Sequence, residues 1–561
     1  MKAADRAVGN GAVLFLMGEE GMLHIGSCRR RLFSVGFGDT GRYIEEDPDS
    51  SMPLSFSLYA EGKPEDPRLM RSSVRVSVYP DERTASLVCT LYAMHELTLS
   101  IEMEEGVRLT RFERLAKRMD SRPALKMTTK DGEALYLVCD GNYRFEEDEQ
   151  TVTIGMGYTR FVLYLQDGTE GLDRLFNLYE TAIVPYGERL PQNYAYLSAV
   201  KKRRRRPSRK IAMLPPRERQ MALSMTTLAK EVTSSKGGYY LNRGPIALAD
   251  MCQVASLFVS LGERAEAERF LNFLLFLLRR YDRLPQFCLA DGSQPSFQTN
   301  VPDVAAEYAA CLVAQYERTF SLSAPSALKK ALFRLIKEEQ RLLRGGTMPF
   351  SPWERCLPRQ ARFGHSDGSA EATLRCFAAG RAVLSFSEDA VPHGARAKLA
   401  GTLDHVAASF PKRFVFLSET YLNCPDKERG ARRYSKVDGF CDACHRRACL
   451  SLVGDGYLCE DCRAKERVPE ETVLSRIKDE GVLARLASIL GVSTAEEPAT
   501  SMPSNKTLSP VELVARLYFE GMRDVALRQE LLDAAWCLFD KGTLPLADAC
   551  FLFRAVVSTV R

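Results

Sequence analysis

Apolar residues follow two different periods along this chain. Between residues 8 and 200 they form short runs or strict alternations, as in Ala12-Val13-Leu14-Phe15-Leu16, Val74-Arg75-Val76-Ser77-Val78-Tyr79 and Phe161-Val162-Leu163-Tyr164-Leu165. Turn signals separate them, among them Gly36-Phe37-Gly38-Asp39, Asp131-Gly132 and Asp167-Gly168. Many short strands without helices between them predict packed antiparallel sheets. One helix is expected near 170–183, where Leu172, Leu175, Leu178 and Tyr179 keep helical spacing. After residue 216 the period becomes helical. Helices are predicted at 217–233, 246–261, 264–281, 302–319, 325–343, 369–386 and 395–410, then at 470–490, 509–520, 523–540 and 543–559. The stretch 493–508 is polar, contains Pro and Ser, and reads as a connection. So many successive helices predict a solenoid or a closed helical toroid, and the lack of a fixed sequence repeat argues against the familiar solenoids.

Composition adds size and compartment. A chain of 561 residues, 45% hydrophobic and 27% charged, has the material for several ordinary domains. Its opening residues, Met1-Lys2-Ala3-Ala4-Asp5-Arg6, lack the apolar region and cleavage site of an export signal. The strongest apolar run, Phe270 to Leu278, is too short to span a bilayer. With 16 cysteines and no export signal, a cytoplasmic, reducing location is expected. The net charge of +5 is dominated by residues 201–210, where eight of ten are Lys or Arg; the rest of the chain is slightly acidic. No aromatic residue interleaves with that block to stack on bases, so it reads as a solvated linker.

The most specific chemistry lies at 441–462. Two Cys-x-x-Cys pairs, Cys441/Cys444 and Cys459/Cys462, are separated by fourteen residues. Four thiolates at this spacing can share one tetrahedral zinc, and Gly454-Asp455-Gly456 supplies a turn between them. A structural Zn2+ without catalytic duty is expected, against a redox dithiol pair or a disulfide knot. His445 and Cys449 are alternative ligands.

Several phrases of the helical half occur in a familiar order. Gly237-Gly238-Tyr239-Tyr240-Leu241-Asn242-Arg243 precedes a helix closing in Leu261-Gly262; Glu263-Arg264-Ala265-Glu266-Ala267, Leu284-Pro285-Gln286 and Ala290-Asp291-Gly292 follow. Trp353-Glu354 lies in a loop, and after it come Phe363-Gly364-His365-Ser366-Asp367-Gly368-Ser369 and an alanine-rich helix. Near the N-terminus stand Gly9-Asn10-Gly11 and Gly21-Met22-Leu23. Over residues 8–410 this order resembles the glucoamylase-type glycoside hydrolases of family 15. The resemblance implies an α+β multidomain protein, with an N-terminal antiparallel β-sandwich (1–200), a basic linker (201–216) and an (α/α)6-type helical toroid. The toroid would begin at 217–436 and continue, or give way to a helical C-terminal domain, at 469–561, with the zinc-binding module (437–468) inserted. It implies Glu354 as general acid, Trp353 packing beside it, and Arg243 and Tyr239 binding a sugar.

The chain departs from the family pattern in two places. Where a Trp-x-Arg-Asp phrase is expected, it has Leu241-Asn242-Arg243-Gly244, without the stacking ring and the carboxylate, and Asp250 comes too late to replace the latter. Inverting hydrolysis also needs a second carboxylate about 6.5–9.5 Å from the acid. Leu417-Ser418-Glu419-Thr420 resembles the phrase that supplies it, but arrives only 65 residues after Glu354. Glu419 is the candidate base, with Glu520 and Asp540 the few later carboxylates. Three functions stay open: a hydrolase of α-linked glucosides, a scaffold binding a glycan or a protein through the toroid and the zinc module, and a nucleic-acid-associated protein using the zinc module and the basic block. The third leaves most of the chain without a role, and no membrane partner is expected. No P-loop, dinucleotide-binding Gly-x-Gly-x-x-Gly element or Gly-x-Ser-x-Gly elbow occurs.

Overall fold

A computed structural model describes residues 6–166, 208–349, 370–423, 436–459, 474–475 and 525–560, apart from connections within those spans. The chain divides into two compact units: Met1–Ile246 with Leu289–Gln294, and Ala247–Cys288 with Pro295–Arg561.

In the first unit, fifteen described strands form two antiparallel sheets. One has the order β1 (Arg6–Gly9), β2 (Val13–Met17), β3 (Leu23–Ser27), β4 (Arg31–Gly36), β9 (Leu97–Met103), β14 (Thr151–Ile154) and β13 (Tyr143–Glu146). The other has the order β10 (Val107–Arg111), β11 (Ala124–Thr129), β12 (Ala134–Asp140), β15 (Gly157–Gln166), β8 (Ser86–Ala93), β7 (Val74–Asp81), β6 (Leu54–Tyr59) and β5 (Tyr43–Glu46). Alternation along the strands decides which side chains go inside. In β9 (Leu97–Met103), Leu99 and Ile101 are buried while Thr98, Ser100 and Glu102 are exposed. Phe15, Phe33 and Ile101 from one sheet and Val76, Leu91, Leu137 and Phe161 from the other belong to one buried cluster, the core of a β-sandwich. Each such side chain contributes roughly 1.5–3 kcal/mol through burial.

This unit continues past the basic block. Pro216 starts helix α1 (Pro216–Glu231), a position where its missing N–H costs no hydrogen bond. The last turn of α1 meets β1 (Arg6–Gly9): the Gly9 N–H donates to Oε2 of buried Glu231 at 3.0 Å. A Cβ at Gly9 would overlap the Glu231 carbonyl oxygen, so only glycine allows this approach. Asn10 Oδ1 accepts from the amides of Ala12 (3.0 Å) and Val13 (2.8 Å), and Ser235 N–H donates to the Gly11 carbonyl at 2.9 Å. The Gly-Asn-Gly triplet is therefore a turn that seats a helix end.

The second unit is helical, and its boundaries lie close to those the period predicts. Its described helices are α2 (Leu248–Leu261), α3 (Arg264–Tyr281), α4 (Val304–Phe320), α5 (Ser326–Glu339), α6 (Ala370–Leu384), α7 (His393–Arg413), α8 (Val525–Asp540) and α9 (Leu546–Val560). Every residue of α2 except Asp250 and Ser260 is buried, which makes it the centre of the unit. Gly262 ends it in the left-handed conformation (φ +78°), and the amides of Gly262 and Glu263 donate to the carbonyls of Val259 and Phe258. Alternate helices pack side by side: α2 on α4, α4 on α6, and the last helix, α9, back on α2. Helices α3, α5 and α7 pack between or beside them. The helices expected at 170–183, 470–490 and 509–520, the polar stretch 493–508, and residues 201–207 of the basic block lie outside the described residues.

After α7 come a hairpin, β16 (Phe414–Leu417) and β17 (Thr420–Asn423), and a three-stranded antiparallel sheet, β18 (Lys436–Phe440), β19 (Arg447–Val453) and β20 (Gly456–Cys459). Among the described residues, no helix is long and apolar enough to cross a membrane.

Candidate functional site

Connections in the helical unit differ in length by position. Short turns follow α2, α4 and α6, whereas long ones lead into α4 and α6. The second long connection carries Trp353, Glu354, His365 and Asp367, all outside the described residues. Its base is described: buried Thr347 and Met348 precede it, and the Met348 amide donates to Thr373 Oγ1 on α6 at 2.9 Å.

At the ends of the helices that these connections join lies a buried polar network that the sequence motifs did not reveal. Arg375, in the second turn of α6, donates from Nε to Oε2 of Glu307, in the first turns of α4, at 2.7 Å. Both side chains are only 1% exposed. Glu339, the last residue of α5, shares a hydrogen bond with Glu307, and its Oε1 accepts the Asp303 amide at 3.1 Å. Burial, and then the charge of Glu307, push the Glu339 carboxyl well above the usual carboxylate range, so in its neutral form it donates to Glu307. Asp303 caps α4 by accepting the Ala306 amide at 3.1 Å, and takes a second bond, 2.7 Å long, from Gln286 Nε2. Burial pushes its carboxyl up to about 6, even though the Ala306 amide, Arg283 and Gln286 pull the other way.

These groups are too enclosed to touch a substrate. Their chemistry is positional: they fix the starts of α4 and α6 and the end of α5, from which the long connections spring. The signal in the sequence is weak but present. Glu307 and Arg375 are lone charges in otherwise small and apolar helical surroundings, Val304-Ala305-Ala306-Glu307-Tyr308-Ala309 and Ala372-Thr373-Leu374-Arg375-Cys376-Phe377.

Tyr239 is buried in the first unit, 1% exposed, and bridges to Thr233 in the segment after α1. Leu241, where the resemblance leads to the expectation of a tryptophan, is buried as well. Arg243 lies outside the described residues. So does Glu419, which follows β16 and precedes β17 in the sequence. Asp540 is the last residue of α8, and Glu520 lies outside the described residues. Of the four zinc candidates, Cys459 is the final residue of β20, while Cys441, Cys444 and Cys462, with the alternative His445, lie outside the described residues. Cys449, the other alternative, sits within β19. Among the described residues, no group of three or more His, Cys, Asp or Glu is placed to hold a metal. The described thiols of Cys252, Cys311, Cys376 and Cys550 are buried, and burial raises their pKa values. They stay protonated and inert.

The fold is similar to that of a solved bacterial enzyme. A bacterial glucoamylase solved in complex with acarbose superposes with a TM-score of 0.55 at 11% identity, over 76% of this chain and 71% of that one. A putative kojibiose phosphorylase from the human microbiome gives 0.47 at 8% identity, over 98% and 86% of the two chains. A family 92 inverting mannosidase from Bacteroides thetaiotaomicron gives 0.40 at 11% identity, over 74% and 63%. No family model matches the sequence, and neither does any curated protein.

Proposed function

We propose that this chain is an intracellular carbohydrate-active protein that hydrolyses α-linked glucosides by acid–base catalysis, on a helical toroid of the (α/α)6 type. The return of α9 onto α2 supports a closed ring, because it brings the last described helix back to the first of its unit. One observation carries the catalytic reading: Trp353-Glu354 falls in the long connection into α6, in a chain whose fold is similar to that of a glucoamylase. Glu354 is the general acid that protonates the leaving oxygen. Trp353 shields it, and an apolar neighbour of this kind raises a carboxyl's pKa towards the working range of an acid. Glu419 is the candidate base and Arg243 the candidate sugar-binding residue; Tyr239, expected to join it, is too buried at 1% exposure to reach a sugar. The buried thiols named above favour a reducing, cytoplasmic location.

The missing ring and carboxylate at Leu241 and Gly244 favour a second reading, a non-catalytic scaffold that binds a glycan or a protein. A screen of α-linked gluco-oligosaccharides against the wild type and Glu354→Gln separates the two, because a general acid contributes about 10²–10⁴-fold. Turnover by the wild type that falls by that factor in the variant supports the hydrolase. Turnover that the substitution leaves intact removes Glu354 from the role. Binding of acarbose or an oligosaccharide without turnover by either protein assigns the scaffold.

A further inference from the structure

We infer that the core of the β-sandwich holds a dry, apolar cavity that binds one small uncharged molecule without polar groups, of the size of a xenon atom or a short hydrocarbon. The cavity lies wholly within the first unit and is independent of the hydrolase reading.

The space measures about 50 Å3 and takes its walls from both sheets. Phe15, Phe33 and Ile101 line it from one sheet and Cys89, Leu91 and Phe161 from the other, and all six are buried. Its origin is a mismatch of side-chain sizes. Cys89 sits on β8 between Val78 of β7 and Phe161 of β15, and it is the smallest side chain of the lining. Four phenylalanine rings, those of Phe15, Phe33, Phe37 and Phe161, border the same space. Rigid rings between sheets that stand about 10 Å apart cannot fold over to fill the room a short cysteine leaves. Protein interiors hold few voids larger than a water molecule. This one is roughly three to five times the 10–15 Å3 that a water needs.

The chemistry of the walls selects the occupant. Among the described residues that line the cavity, the sulfur of Cys89 is the only side-chain heteroatom. Burial pushes its thiol up to about 12, so at neutral pH it stays an uncharged S–H. A buried water needs about two to four polar partners, and here it finds one weak one. Water therefore gains little by entering, whereas an apolar guest gains dispersion contacts with every wall. Volume sets the second limit. A cavity of about 150 Å3 lined by Leu, Ile and Phe takes benzene. A third of that volume excludes a six-membered ring and suits xenon or a chain of about two or three carbons.

The test uses the full chain, labelled at the Ile, Leu and Val methyl groups and observed by NMR under xenon pressure. Resonances of Leu91, Leu99, Ile101 and Leu163 are expected to shift saturably in the wild type, a readout that needs no variant to fold, and benzene is expected to leave them in place. Cys89→Leu fills the space and is expected to abolish the xenon shifts in a protein that melts no lower than the wild type. Leu99→Ala enlarges the space and is expected to let benzene shift the remaining methyl groups. Wild-type methyl groups that do not respond to xenon overturn the inference. So do xenon shifts that persist in folded Cys89→Leu, or a crystal structure with ordered water between these side chains.

Discussion

Replacing Arg375 by methionine tests whether the buried network holds the helical unit together. Methionine keeps much of the side-chain length and removes the charge, leaving Glu307 beside Glu339 without its cation. Because both partners of the pair are 1% exposed and meet at 2.7 Å, neither can turn to water when the other is lost. Removing one member of such a pair costs about 3–5 kcal/mol. That is a large part of a total stability of about 5–15 kcal/mol. At roughly 2–4 °C per kcal/mol for a unit of this size, the midpoint of thermal unfolding should drop by about 6–20 °C. Circular dichroism at pH 7 measures it, with guanidinium titration as a second probe. The double variant Arg375→Met/Glu307→Gln should recover at least half of the loss, because the stranded charge goes with its partner. A loss under about 1 kcal/mol for Arg375→Met, or a double variant as damaged as the sum of the singles, would refute the reasoning.

Two further outcomes follow from the described contacts. Asp303 has a raised carboxyl pKa, about 6 in the fold against an ordinary 3.8, so the folded protein binds this proton more tightly than the unfolded chain does. Its contribution to stability is full below pH about 4 and is lost as pH rises through about 6. Asp303→Asn should keep the α4 cap and remove this slope; thermal unfolding of both proteins between pH 4 and 7.5 measures the difference, and parallel curves would count against the assignment. Gly9→Ala drives a methyl group into the Glu231 carbonyl and should cost about 1–3 kcal/mol, or roughly 2–12 °C in the melting of the first unit. An unchanged melting point there would mean that α1 does not depend on this approach.

The helical half was legible because its apolar faces recur with the helical period and its ends carry punctuation. Gly262 closes α2 in the position the motif suggested, and α3 begins and ends at the predicted residues. The β-sandwich was legible from alternation, as β7 (Val74–Asp81) and β15 (Gly157–Gln166) illustrate. What could not be read was pairing across long distances. Arg375 and Glu307 are 68 residues apart, and no local pattern marks one as the partner of the other. Glu339 looks like one more solvated charge in Lys337-Glu338-Glu339-Gln340-Arg341, yet it is buried because it ends α5 against the start of α4. The basic block suggests a boundary near 201–216, whereas α1 beyond it belongs to the unit of the sheets. The contact responsible joins Gly9 to Glu231, 222 residues away, and so escapes any window of sequence.

The packing of α9 on α2 sets a timetable for the making of the protein. Helix α2 is the first described helix of its unit to leave the ribosome, and the last described helix packs against it. At about 5–20 residues per second, roughly 15–60 s pass between the completion of α2 and that of α9. Throughout that interval an apolar helix at the centre of the unit lacks one of its neighbours. Shortening the chain from its C-terminus would make the exposure permanent, because Cys550, Leu552, Phe553 and Val556 of α9 are wholly buried in the finished fold. Synthesis of this chain therefore leaves that side of α2 uncovered until α9 is in place, and a copy cut off before α9 exposes apolar surface of the kind that chaperones and proteases act on.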